Sequence, residues 1–102
     1  IHPSYGPWIA LRAVAVIDVM GPSQSPSLLH SPCADCTKPC MLALDRALQL
    51  SGPQLDARAV AEHADAWIAI RDACPVGTDE RYSDAQLRYH YSKDASLLRV
   101  TR

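Results

Sequence analysis

The chain has 102 residues, room for a single domain with a small core. Ten Lys and Arg against eleven Asp and Glu leave a formal charge of -1, which supplies neither the basic footprint of a nucleic-acid binder nor an anchor for an anionic membrane. No apolar run reaches the ~18 residues of a membrane span and no charged n-region leads into an apolar h-region, so the sequence predicts a soluble, cytoplasmic protein. Because the chain opens on Ile1 rather than Met, it also predicts that upstream residues complete the domain.

From Trp8 to Met20 the sequence reads as one long β-strand, with β-branched residues clustered at Val14, Val16, Ile17 and Val19. One face is wholly apolar: Ile9, Leu11, Ala13, Ala15, Ile17 and Val19. The opposite face carries Trp8, Ala10, Arg12, Val14, Val16 and Asp18, so Arg12 is a cation set among hydrophobes that needs a partner or must reach water along its own stem. With no partner strand elsewhere in the chain, the segment is expected to pair with a missing N-terminal half or with a second copy in a homo-oligomer, such as a dimer. Residues 21–40 form a proline- and serine-rich crossing loop that carries the cysteines, and residues 41–102 are expected to be mostly helical.

The first helix begins near Pro39, buries Met41, Leu44 and Leu48, and stops at Gly52-Pro53. A second runs from the N-cap Asp56 to Ala73 and is stopped by Pro75, with Arg71 on the same face as Trp67. Ser83 to Gln86 has the form of a capping box, with Tyr82 and Leu87 as a hydrophobic staple, so a third helix should run from there to about Ser92. Asp94 to Val100 is expected to add a short helical turn or two. The fold class implied is α+β, one long strand and three to four helices.

Cys33, Cys36 and Cys40 are spaced C-x2-C-x3-C, and Cys74 follows at a distance in Cys74-Pro75. Cys40 falls in a helix first turn, where the helix dipole favours a thiolate. Four thiols can hold a 4Fe-4S cluster, and a proline after a ligand cysteine recurs in ferredoxin patterns, whose usual run is tighter than this one. Structural zinc is the alternative metal, and disulfides or unliganded thiols remain open.

Two blocks carry a family resemblance. His2-Pro3-x-Tyr5-Gly6-x-Trp8-x-Ala10-x-Arg12-x-Val14, and Arg71-Asp72-Ala73 followed by Glu80-Arg81-Tyr82-Ser83-x-x-Gln86, resemble conserved segments of the cobalamin-processing proteins of the methylmalonic aciduria and homocystinuria type C family, in the same order. The resemblance implies the C-terminal part of a modified flavin nitroreductase-like fold that binds base-off cobalamin and removes its upper axial ligand, using reduced flavin or glutathione. It also implies that Arg12 and Arg71 meet carboxylates, that Trp8 lies near the upper face of the corrin, and that Tyr82 lines the same pocket. Animal members lack the four-cysteine set, which puts glutathione use in doubt and points to a bacterial-type variant with its own electron source or staple.

The expected function is therefore cobalamin binding with reductive removal of the upper ligand, an oxidoreductase activity in which a Cys-ligated iron-sulphur cluster feeds electrons. Two other classes stand beside it: a non-catalytic cobalamin carrier or chaperone, and a ferredoxin-like electron-transfer module. No phosphate loop, nucleophile elbow or paired-carboxylate constellation is present in the sequence, and it offers no catalytic side chain. His30, His63 and His90 are isolated.

Overall fold

A computed structural model describes residues 1–99 of the protein. Four α-helices and two short 3-10 turns carry the regular structure: α1 (Pro39–Ser51), α2 (Ala57–Glu62), α3 (Ala64–Asp72), a turn at Thr78–Glu80, α4 (Asp84–Ser92) and a turn at Ala95–Leu98. Local chemistry explains most of the ends. Pro39 opens α1, where its missing N–H costs nothing, and Gly52 closes it with φ 80°, its N–H donating to the Leu48 carbonyl. The Asp56 carboxylate accepts from the Ala59 N–H at 2.9 Å and starts α2, and the Ser83 hydroxyl accepts from the Gln86 N–H at 3.2 Å and starts α4. The last turn is capped by Asp94, which accepts from Ser96; Val100, included in the expected turn, lies outside the described residues.

Three expectations need correction. The segment predicted as a single helix from Asp56 to Ala73 is two helices, broken at His63 with φ -118° and ψ 35°. Neither Gly nor Pro causes the break; packing does. The helix α2 lies chiefly on α4, whereas α3 lies chiefly on α1 and also on α4, and one straight rod cannot serve both. The predicted stripe of α1 is also displaced. Ala47 is the residue it buries completely, while Met41 and Leu48 remain 50% and 40% exposed. A small side chain at that point allows α3 to approach closely.

The third correction concerns fold class. No strand is present among the described residues, so the architecture there is all-α rather than α+β, and the segment from Trp8 to Met20 is not a strand. The one β-type contact is an isolated antiparallel bridge between His2 and Gly6. A strand needs a neighbour to take its N–H and C=O groups, and the remaining described chain is helices and irregular segments that offer no sheet edge. Residues 9–20 consequently lie in solvent: Leu11, Val16 and Met20 are each at least 95% exposed. The radius of gyration, 17.1 Å, exceeds the roughly 13 Å of a compact chain of this length for the same reason.

Trp8 is the exception in this region. It is 6% exposed and forms the core with Ile68 of α3 and Leu87 of α4, flanked by Tyr82 and Tyr91. A tight N-terminal loop delivers it. His2 and Gly6 exchange backbone hydrogen bonds at 2.9 and 3.0 Å, the His2 Nδ1 accepts the N–H groups of Ser4 and Tyr5, and the Trp8 N–H donates to Tyr5. This loop rests on the Val76–Gly77 turn backbone to backbone. Gly6 (φ 57°) and Gly77 (φ 71°) both require the left-handed region, and a Cβ on Gly6 would overlap the Val76 carbonyl, as one on Gly77 would overlap Tyr5.

The glycines therefore predict a graded stability series, read from urea denaturation midpoints. Gly21, with nothing within 4 Å of an added Cβ, should tolerate Ala within about 0.5 kcal/mol. Gly52→Ala should cost about 1–3 kcal/mol from its conformation alone. Gly77→Ala should cost more than Gly52→Ala, because backbone overlap is added to the same conformational strain.

Candidate functional site

A groove of about 990 Å³ opens between the segment after Trp8, the C-terminal end of α3, one face of α4 and the final turn. Arg12 enters it from the segment, Arg71 from α3, Tyr82, Gln86, Tyr89 and His90 from α4 and its lead-in, and Lys93, Leu97, Leu98 and Arg99 from the C-terminal end. Three of the four residues expected to bind a cofactor, Arg12, Arg71 and Tyr82, thus line one surface although 59 positions separate the first two. The fourth, Trp8, stands behind that wall, its ring edge-on to Tyr82 with centroids 5.6 Å apart.

The groove is cationic. Arg12, Arg71, Lys93 and Arg99 contribute four of the chain's ten basic side chains, and no carboxylate among the described residues lines it. Arg71 is the best-positioned of the four. Its guanidinium carbon lies 5.7 Å from the Tyr82 ring centre and 6.0 Å from that of Tyr91, so aromatic faces hold the cation on two sides. Its Nη1 is buried and has no hydrogen-bond partner among the described residues. A buried guanidinium nitrogen left without an acceptor costs free energy until an anion or a carbonyl supplies one. The Trp8 Nε1 is buried without a partner as well.

His90 reports the field inside the groove. Partial desolvation first, then repulsion from Arg71, Lys93 and Arg12, lowers its pKa below the ordinary histidine value. His90 therefore stays neutral in the fold at a pH where it would already be protonated in the unfolded chain. Because the unfolded state binds the extra proton, stability declines as pH falls through 6.5 towards the folded value.

The block Arg81-Tyr82-Ser83 also has a structural role that sequence reasoning missed. Arg81 forks onto Asp72, donating from Nε at 2.6 Å and from Nη2 at 3.1 Å, and its Nη1 donates to Asp84 at 2.9 Å. It thus fastens the end of α3 to the start of α4, and it covers Trp8, with Cζ 5.9 Å from the ring centre. Both carboxylates hold its pKa above the already high arginine value, Asp72 more than Asp84. The signal was available in the pairing of Asp72 and Arg81 across the second block. For His90 it was the spacing from Gln86 at i+4, which puts the two on one helical face, with Lys93 following as the residue that caps α4.

The cysteines lie elsewhere. Cys33 and Cys36 close a turn through the Cys36 N–H to the Cys33 carbonyl at 3.3 Å, and the Cys36 sulphur accepts the Lys38 N–H at 3.3 Å. Cys40 sits in the first turn of α1 and Cys74 just beyond α3; all four are free and half-buried. The donor chemistry suits a soft metal, and an N–H to sulphur contact is one that metal-bound cysteines accept. The arrangement, however, does not fit a preformed cluster: among the described residues no three His, Cys, Asp or Glu side chains are grouped to hold a metal ion. The chemistry of the groove accordingly rests on side chains other than Cys33, Cys36, Cys40 and Cys74. Among the described residues no helix is long and apolar enough to cross a membrane.

Comparison of the chain with protein-family models, with curated proteins and with solved structures finds no match. The resemblance of the two blocks to the cobalamin-processing family thus stands on those residues alone.

The charge set around His90 predicts the outcome of a single substitution. In Arg71→Met the His90 titration midpoint should move upward towards 6.5, because one of the repelling charges is gone, while the contribution of desolvation stays. Proton NMR of the imidazole across pH 4–8 would read it. An unchanged midpoint would mean that Arg71 does not act on the groove electrostatically.

Proposed function

We propose that the chain binds cobalamin in the cationic groove and takes part in cobalamin processing in the cytoplasm. The observation that carries this reading is the convergence of Arg12, Arg71 and Tyr82 on one groove, with an Arg71 nitrogen buried there and unpartnered. These are the same residues that the two blocks match to the cobalamin-processing family. The chemistry fits. Cobalamin offers amide carbonyls and a phosphate around an apolar macrocycle, and the groove offers guanidinium forks beside tyrosine rings and leucines. At about 990 Å³ it is at the upper end for ordinary ligand sites and would take an edge of the corrin with its side chains.

Binding is the part of the expected function that the geometry supports, and it is common to a processing enzyme and to a carrier. In this reading Arg71 holds an anionic or carbonyl group, Arg12 adds a second cation to the same groove, and Tyr82 and Tyr89 shield the apolar part of the ligand. Removal of the upper axial ligand would be an added property, dependent on a reductant.

Titration of the protein with cyanocobalamin, hydroxocobalamin and methylcobalamin, followed by absorption, tests the proposal. A saturable spectral shift is expected with at least one form. Arg71→Met should weaken it roughly ten-fold or more, since hydrogen bonds to a charged group contribute about 1.5–3 kcal/mol. The far-ultraviolet circular dichroism of that variant should be unaltered. Conversion to reduced cobalt on addition of a chemical reductant, faster than in free cobalamin, would mark an enzyme, and a shift without it a carrier. No spectral change with any form would overturn the proposal.

A further inference from the structure

We infer that Cys33 and Cys36 form a redox-active dithiol, a site for thiol–disulfide exchange with an external low-molecular-weight disulfide. The site is separate from the groove and independent of what the groove binds: no cysteine lines that groove among the described residues. All four cysteines are free, and no three metal-donor side chains among the described residues are grouped, so the ligand set that a cluster needs is not assembled. A dithiol needs only two sulphurs. The structure brings these two into one turn.

Cys33-Ala34-Asp35-Cys36 is a β-turn, closed by the Cys36 N–H donating to the Cys33 carbonyl at 3.3 Å. Such a turn holds the Cα atoms of its first and fourth residues within about 7 Å, and a disulfide spans roughly 4.4–6.8 Å between Cα atoms, so the sulphurs can join while the backbone keeps its turn. Hydrogen bonds that do not depend on a sulphur–sulphur bond fix the turn on both sides. Upstream, the Ser31 carbonyl accepts the Ala34 N–H at 3.1 Å and the Ser31 hydroxyl accepts the Cys33 N–H at 3.3 Å. Downstream, the Cys36 sulphur accepts the Lys38 N–H at 3.3 Å, and α1 begins at Pro39. Both cysteines are half-buried, whereas Ala34 and Asp35 between them are exposed, which leaves the tip of the turn open to a small disulfide.

The exchange balances in two displacements. One cysteine, as its thiolate, attacks a sulphur of the external disulfide RSSR; a protein–SR bond forms, the RS–SR bond breaks, and the departing thiolate takes up a proton as the first RSH. The other cysteine then attacks the protein sulphur of this mixed disulfide, closes the Cys33–Cys36 bond and releases the second RSH. The pair loses two electrons and two protons, and RSSR gains both. Run in reverse, two thiols restore the dithiol. The short loop suits cycling better than bracing, because the stabilisation from a cross-link grows with the length of chain it closes, and this one closes only a turn.

Equilibration of the full chain with mixtures of β-mercaptoethanol and its disulfide, followed by acid quenching, alkylation and peptide mass mapping, tests the site. Cys33 and Cys36 should convert together to one internal disulfide. At fixed disulfide concentration its oxidised-to-reduced ratio should fall about 100-fold for each ten-fold rise in thiol, because two thiols are released per bond formed. Cys36→Ser should stop at a mixed disulfide on Cys33, and Cys33→Ser at one on Cys36, each falling only about ten-fold over the same rise. Circular dichroism should show the helices intact in both variants, since the turn precedes α1. Separate mixed disulfides on the two cysteines of the unaltered chain, preferential pairing of either with Cys40 or Cys74, or iron or zinc held by the purified chain and lost in both variants would each overturn the inference.

Discussion

The fork of Arg81 on Asp72, extended to Asp84, is the constraint on which the described structure most depends. The helices α3 and α4 are only nine residues each, too short to hold an orientation through propensity alone. A guanidinium bridging the end of one and the start of the other fixes the angle between them at one point. Ile68 and Leu87 then face the same space, and Trp8 fills it beneath the guanidinium. The ion pair is partly exposed, so its direct electrostatic contribution is modest, and its importance lies in geometry. The Arg88–Asp65 pair, at 2.8 Å, makes a second tie between the same two helices.

Apart from Arg12, the cations of the groove follow from that arrangement. Once α4 is set against α3, the helical face bearing Gln86 and His90 and the capping residue Lys93 line the groove with Arg71, and the turn at Ala95–Leu98 is followed by Arg99, which lines it too. Arg71 and Arg81 thus divide two tasks within one cluster. Arg81 takes the carboxylates and becomes structural. Arg71, between Tyr82 and Tyr91, takes none among the described residues and keeps its charge for the groove. The lowered pKa of His90 is the consequence of this concentration of charge and of partial desolvation.

Trp8 links the two halves of the molecule. To its C-terminal side the backbone leaves the helices and stays in solvent as far as the cysteine turn; to its N-terminal side the His2–Gly6 loop locks onto the Val76–Gly77 turn. The first block therefore contains two kinds of residue. His2, Gly6 and Trp8 are explained by the packing of the loop, whereas Arg12 has no packing role in the core and is explained by the groove. The cysteine region behaves as a local unit: its hydrogen bonds are short-range turns, and nothing in them draws Cys74 into a ligand set with the other three.

The amino-acid sequence by itself determined the features that depend on neighbours a few positions away. Proline at the start of α1, glycine at its end, Asp56 and Ser83 as caps, and the start of α4 were all legible, because a cap or a stop is decided by side-chain and backbone chemistry within about four residues. It also drew attention to Arg71 through helical spacing, and to Arg12 through the face of a strand that the structure does not form. Tertiary structure alone decided that these two share a groove, that His63 breaks a helix with no breaker in its sequence, and that Ala47 rather than Met41 or Leu48 is buried. It decided too that Trp8 to Met20 is not a strand: β-propensity describes how a segment fits a sheet, and the described chain offers no neighbouring edge to make one.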